Sequence, residues 1–290
     1  MVVEELKRRI SALQRGDVSA RQRSASARVE GAQPVAPTSP SCATLADHFP
    51  EGAVRSTDRG ELFVCEAALN RIYSGTSKLL PRYLSAFDRA RRTAGGEPHA
   101  HFLRSLAAAE PHSAAFIDTE TAGLHGRPLF LVGMMQYRGG ELVLTQYFAR
   151  TYAEEAGLLA QLAGLLPDLN LLITFNGKAF DWPFVRDRMT YHRVQCEPSF
   201  AHLDLLHPSR RRWRSELPNC KLQTLERYLS GRWRSGDIPS DQIPQRYHDF
   251  VRGQDARVIA PIFHHNRLDL IAMMELIVAL VEAEEPTPPA

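Results

Sequence analysis

The sequence predicts an α/β protein, a mixed sheet of five strands with helices on both faces. Three observations lead there. From residue 113 onward short apolar runs alternate with turn residues, as strands do. Two of these runs are joined by Arg138-Gly139-Gly140, a hairpin signal. Longer apolar or amphipathic runs then separate the later strands, which forces at least part of the sheet to be crossed over by helices.

The first strand is "SAAFID" (113–118), followed by "PLFLVGMMQY" (128–137) and "ELVLTQYFA" (141–149) around the hairpin turn. "EEAGLLAQLAGLL" (154–166) reads as an amphipathic helix closed by Pro167, and "NLLITF" (170–175) as a buried strand. "AFDWPFVRDRM" (179–189) opens a helix that tolerates Pro183 in its first turn. "FAHLDLL" (200–206) is the fifth strand, "KLQTLERYL" (221–229) a helix, and the run from Pro261 a long terminal helix.

Ahead of this domain, placed at 111–283, lies a region of mixed signals, 42–110, taken as a small N-terminal lead-in. In it "GELFVCE" (60–66) alternates like a strand, and two helical pieces are interrupted by Pro81 and by Gly95-Gly96. Residues 1–41 read as a short amphipathic helix, with Leu6, Ile10 and Leu13 on one stripe, and a flexible linker rich in Ser, Ala, Arg and Pro. Residues 284–290 read as a disordered tail. The chain of 290 residues is 44% hydrophobic and 23% charged with a net charge of +2, which suits one catalytic-size domain plus extra material. Four cysteines without C-x-x-C spacing argue for free thiols, no disulfide-linked partner and no zinc site. No apolar run reaches membrane length and Met1 is not followed by a signal peptide, so the expectation is a soluble, cytoplasmic protein.

Chemistry concentrates in three places. "AAFIDTETAGL" (114–124) ends a strand in Asp118 and Glu120, which share one face because successive side chains alternate. Two carboxylates that close repel each other unless a positive charge sits between them, and the usual tenant is a divalent metal ion. "ITFNGKAFDWPFV" (173–185) follows a buried strand with Asn176-Gly177, then Lys178, and places Asp181 in the first turn of a helix. There a carboxylate gains from the helix dipole, whatever else it does. "HHNRLDL" (264–270) sets His264, His265 and Asp269 near the start of the terminal helix. A spacing of four puts His265 and Asp269 on one helical face.

In this order, Asp-x-Glu, then Asn-Gly-x-x-Phe-Asp, then His-x-x-x-Asp, the chain resembles the DEDD superfamily of 3′–5′ exonucleases with the ribonuclease-H-like fold, and especially its bacterial YprB-like branch. The resemblance runs from about Ala114 to Leu280 and includes "HLDLLHPSRRRWRSELPNCKLQTLE" (202–226). It implies that Asp118, Glu120, Asp181 and Asp269 hold two Mg²⁺ or Mn²⁺ ions. Asp118 would bridge both, Glu120 and Asp269 would complete the site of the attacking water, and Asp181 would act near the second ion. Phosphodiester hydrolysis needs an activated water, charge neutralisation and help for the leaving oxygen, and two metal ions supply all three.

The proton of that water needs an acceptor, and histidine suits the task. Superfamily members carry either a tyrosine four residues before the last Asp or a histidine five before it. Here both positions are histidines, His265 and His264. With a helix from Pro261, His265 lies about 40° from Asp269 around the axis and His264 about 140°. That favours His265, with His264 as the alternative base if the helix begins later. For the substrate, Asn176 and Lys178 are candidate contacts, and Arg211, Arg212 and Trp213 combine guanidinium groups with a ring able to stack on a base. Arg232-Trp233-Arg234 repeats that theme more weakly, and Asp204 reads first as a structural acid. The reading is a metal-dependent 3′–5′ exonuclease on single-stranded DNA or RNA ends. Its rivals are a structure-selective endonuclease on the same fold and a non-catalytic nucleic-acid-binding module.

Overall fold

The computed structural model describes residues 42–93, 101–124 and 126–284. The helix and linker expected in 1–41, the Gly95-Gly96 turn and the tail from 285 lie outside the described residues.

At its centre is a seven-stranded sheet in the order β1-β2-β5-β4-β3-β6-β7. The strands are β1 (Gly52–Thr57), β2 (Gly60–Ala68), β3 (Ala114–Thr121), β4 (Leu129–Arg138), β5 (Glu141–Phe148), β6 (Leu171–Thr174) and β7 (Ala201–Asp204). Pairing is antiparallel from β1 through to β3, then parallel from β3 to β6 and from β6 to β7. The class is the expected one, but the sheet has seven strands where the sequence reading counted five. The extra pair is the β1–β2 hairpin, which adds to the free edge of β5 with Phe63 opposite Phe148. No apolar alternation marks β1 in the sequence, because it is an edge strand whose four middle residues are exposed.

Ten helices among the described residues complete the fold: α1 (Leu45–His48), α2 (Leu69–Ile72), α3 (Thr76–Thr93), α4 (His101–Ala107), α5 (Glu155–Leu165), α6 (Asp181–Tyr191), α7 (Leu206–Trp213), α8 (Leu222–Ser230), α9 (Ile243–Gly253) and α10 (Ala256–Ala283). Alternate residues of β3 face opposite layers. Ala114 and Phe116 pack in one cluster with α3, α4, α8 and the second half of α10; Ala115 and Ile117 pack in another with α5 and α6. Pro81 does not interrupt α3. The carbonyl its missing N–H leaves unpaired belongs to Ser77 in the exposed first turn, where water can satisfy it. Among the described residues no helix is long and apolar enough to cross a membrane.

Candidate active site

The parallel arrangement of β3 and β6 decides where the acids meet. Asp118 and Glu120 lie at the carboxyl end of β3, on one face, and a register shift just after Glu120 ends the regular pairing with β4. β6 runs alongside in the same direction, so the turn that follows it delivers Asp181, the first residue of α6, to the same end of the sheet. α10 crosses that face and contributes Asp269.

The turn after β6 is held by Asp204. Its buried carboxylate accepts from the backbone N–H of Asn176 at 2.7 Å, of Lys178 at 3.2 Å and of Leu206 at 3.0 Å. The left-handed residue of the turn is Asn176, with φ 64°. Gly177 is needed for closeness instead, since a Cβ there would stand 2.5 Å from that of Thr174. Asp204 is thus a hydrogen-bonded structural acid, and Lys178 projects from the turn as an exposed residue.

The four acids share one electrostatic field. Burial and then the charges of Asp269 and Asp181 push the Asp118 carboxyl well above its usual range. Burial does the same to Glu120, and the charges that bear most on it, Asp118, Asp269, Asp181 and Asp237, are all acidic. Asp181 is raised to about 6 by burial, against the opposing hydrogen bond from Thr119. Asp269 is raised by burial although Arg234 and His265 pull it down. Arg234 and His265 offset only part of this, so clustered acids lifted in this way are under-compensated, and their hard oxygen donors fit Mg²⁺ or Mn²⁺. Among the described residues no three His, Cys, Asp or Glu side chains stand close enough to form a ready-made coordination shell. The fit therefore rests on charge and donor chemistry.

α10 begins at Ala256, five residues before Pro261, so both histidines are in regular helix. His265 is buried; its Nδ1 lies 2.6 Å from Asp237 Oδ1 and its Nε2 3.4 Å from Asp269 Oδ2. Burial works to lower the His265 pKa, but the Asp237 hydrogen bond and the charge of Asp269 outweigh it and raise it. His264 is exposed on the other side of the helix.

Asn266 and Asp237 are site residues the sequence does not single out, and Arg234, expected as a weaker substrate contact, instead binds the acids. Asn266, fully buried, donates from Nδ2 to Asp118 Oδ2 at 2.8 Å and to the Asp118 carbonyl at 3.2 Å. Its own oxygen accepts from Gln146 Nε2 at 2.9 Å. Asn266 reaches the strand only because Gly133, opposite Asp118 in β4, has no side chain. Arg234 donates to Asp269 Oδ1 at 2.6 Å, to Asp237 Oδ2 at 3.2 Å and to the buried Glu226. An isolated glycine in an apolar strand was a legible signal of close approach. Arg234 and Asp237 sit in an irregular segment whose sequence carries no period to read.

The basic run corrects an expectation. Arg211, Arg212 and Trp213 lie on α7, and Trp213 is buried in the core beside Tyr228, so its ring is not open to a base. The apolar face of a short helix had to be covered, and the indole covers it. Arg212 pairs with Glu216 at 2.9 Å and Arg211 is on the exposed side. Next to Asp181 a cleft of about 340 Å³ runs between Leu124, Phe180 and Phe184, with Leu124 and Phe180 largely exposed. A larger depression of about 520 Å³ near Arg59 and Arg193 contains none of the acids.

Fold and site together define an α/β protein with an acidic cluster at the carboxyl ends of two parallel central strands. Residues 115–281 match the model of the RNase_H superfamily, and the chain belongs to that superfamily. It is 33% identical over 168 residues to the YprB protein of Bacillus subtilis (strain 168), a match that covers 56% of this chain and 40% of that one. The chain thus matches well under half the length of this relative. A family B DNA polymerase from the archaeon Pyrobaculum calidifontis aligns with a TM-score of 0.44 and 16% identity over 58% of this chain and 24% of the polymerase.

Proposed function

We propose that this chain is a divalent-metal-dependent nuclease, a DEDD-type 3′–5′ exonuclease that hydrolyses phosphodiester bonds at single-stranded nucleic-acid ends. The observation that carries the reading is the convergence of Asp118, Glu120, Asp181 and Asp269 from three elements into one field that raises their pKa values together. Membership of the RNase_H superfamily supports a nuclease. Asp118, Glu120, Asp181 and Asp269 would hold the ions, two Mg²⁺ or Mn²⁺, which when bound would supply water activation and charge neutralisation at the phosphate.

The chain's own groups do the rest. His265 is the proton acceptor: its Nδ1 is committed to Asp237, which leaves Nε2 on the side of Asp269 and the acids. Asn266 holds one Asp118 oxygen in place. The cleft between Leu124 and Phe180 takes the terminal nucleotide, its apolar walls against the base and sugar. Asn176 and Lys178 lie at the turn beside it, and Arg211 and Arg212 approach the backbone further along. End-labelled single- and double-stranded DNA and RNA, incubated with Mg²⁺, Mn²⁺ or EDTA and resolved on a sequencing gel, test the reading. A ladder shortened nucleotide by nucleotide from the 3′ end and abolished by EDTA is expected. Cleavage undiminished in excess EDTA overturns the metal-dependent reading, and internal cuts overturn the exonuclease one.

A further inference from the structure

Trp233 is 68% exposed, the largest side chain so displayed among the described residues. A single exposed aromatic is ordinary. What sets this one apart is how it is held. The flanking arginines turn inward while the ring turns out: Arg232 donates to Glu226 Oε1 at 2.6 Å and to Glu275 Oε2 at 2.7 Å, and Arg234 to Glu226, Asp237 and Asp269. Glu226, 1% exposed at its side chain, is gripped by both guanidinium groups at once. The ring is therefore braced on both sides, and one brace ends on Asp269, a member of the acid cluster. Arg227 lies over the ring at 4.4 Å.

We propose that Trp233, with Arg227, is a stacking platform for a base of a single-stranded nucleic acid entering the acid cluster, Arg227 taking a phosphate of the same strand. The proposal rests on the nuclease reading above. A pre-ordered ring loses little freedom on binding, and every base offers it a π face. A protein partner fits less well. Protein hot spots sit in packed apolar surroundings, whereas here the ring is exposed, Arg227 lies over it, and the chain continues through Arg234 into Ser235 and Gly236. Positive charge beside an aromatic ring suits a polyanion of stacked bases. This platform takes the role that sequence reasoning gave to Trp213.

The test uses the full chain carrying Asp118→Asn, so that a strand survives in Mg²⁺. Fluorescence anisotropy with a labelled 12-nucleotide oligothymidine and its oligouridine counterpart gives Kd. Adding Trp233→Ala should weaken binding roughly 5- to 100-fold, the range of one base–aromatic stack. Trp233→Phe should recover most of that loss, which a general perturbation would not. Melting temperatures of both variants should match the parent, because the ring is exposed. Equal affinity of the Trp233→Ala variant and its parent overturns the platform while wild-type cleavage leaves the nuclease reading standing. Loss that Trp233→Phe does not recover also overturns it. A chain that neither binds nor cleaves any of the nucleic acids overturns both.

Discussion

Gly133→Ala is the sharpest perturbation the structure offers. Gly133 is not among the residues with positive φ, so its backbone accepts alanine without conformational strain. Space is the constraint: the new Cβ would stand 2.1 Å from Asn266 Oδ1 and 2.7 Å from its Cγ, and real Cβ atoms do not approach so closely. Asn266 must move, and with it go the hydrogen bonds to Asp118 and Gln146. Overpacking costs about 1–3 kcal/mol. Leaving Asn266 unsatisfied in the core adds about 1–3 kcal/mol more, partly offset because Gln146 keeps its bond to the Phe263 carbonyl. A loss of about 2–5 kcal/mol corresponds to a Tm lower by roughly 5–20 °C for a domain of this size. Thermal denaturation with and without Asn266→Ala gives a double-mutant cycle. Gly133→Ala should cost far less in the Asn266→Ala background, where nothing blocks the methyl group. An equal cost in both backgrounds, or a Gly133→Ala variant with wild-type Tm and nuclease activity, would refute the reasoning.

Four further outcomes follow. His265→Ala should lower the cleavage rate about 10²–10⁴-fold, the usual range for general acid–base catalysis, and His264→Ala far less; a reversed pattern in single-turnover assays rules out the assignment. Asp118→Asn should abolish turnover but raise the metal-free Tm, since it removes a charge from a repelling cluster; an unchanged or lower Tm in EDTA counts against the clustered-acid account. The pH dependence of metal-free stability has a matching sign. Asp181 titrates at about 6 in the fold against an ordinary 3.8, so the folded chain holds its proton longer, and stability falls as pH rises through that window and levels off above it. Denaturant midpoints that instead rise from pH 4 to 6 in Asp181's favour, judged against Asp181→Asn, contradict this. Lastly, Arg211→Ala with Arg212→Ala should weaken single-strand binding and reduce the salt slope by about 1.4, two counterions at 0.7 each; an unchanged slope makes that face of α7 a solvated surface only.

What the sequence by itself determined was everything governed by local period and spacing. The alternation of "SAAFID" and its neighbours, the Gly139-Gly140 turn and the apolar helix of α10 are encoded within a few residues, so the α/β class and the central strands were legible. So were the shared face of Asp118 and Glu120, which needs only a strand, and that of His265 and Asp269, which needs only a helix. Tertiary structure alone decided what meets across long separations. The β1–β2 hairpin joins the sheet only through β2 pairing with β5, Phe63 opposite Phe148, and Trp213 turns into the core because α7 packs there. Asn266 meets Asp118 across 148 positions, through a gap left by Gly133. Arg234 meets Asp269 across 35, from an irregular segment without a period. Such pairings depend on strand register and helix crossing, which long-range packing sets and no local pattern records.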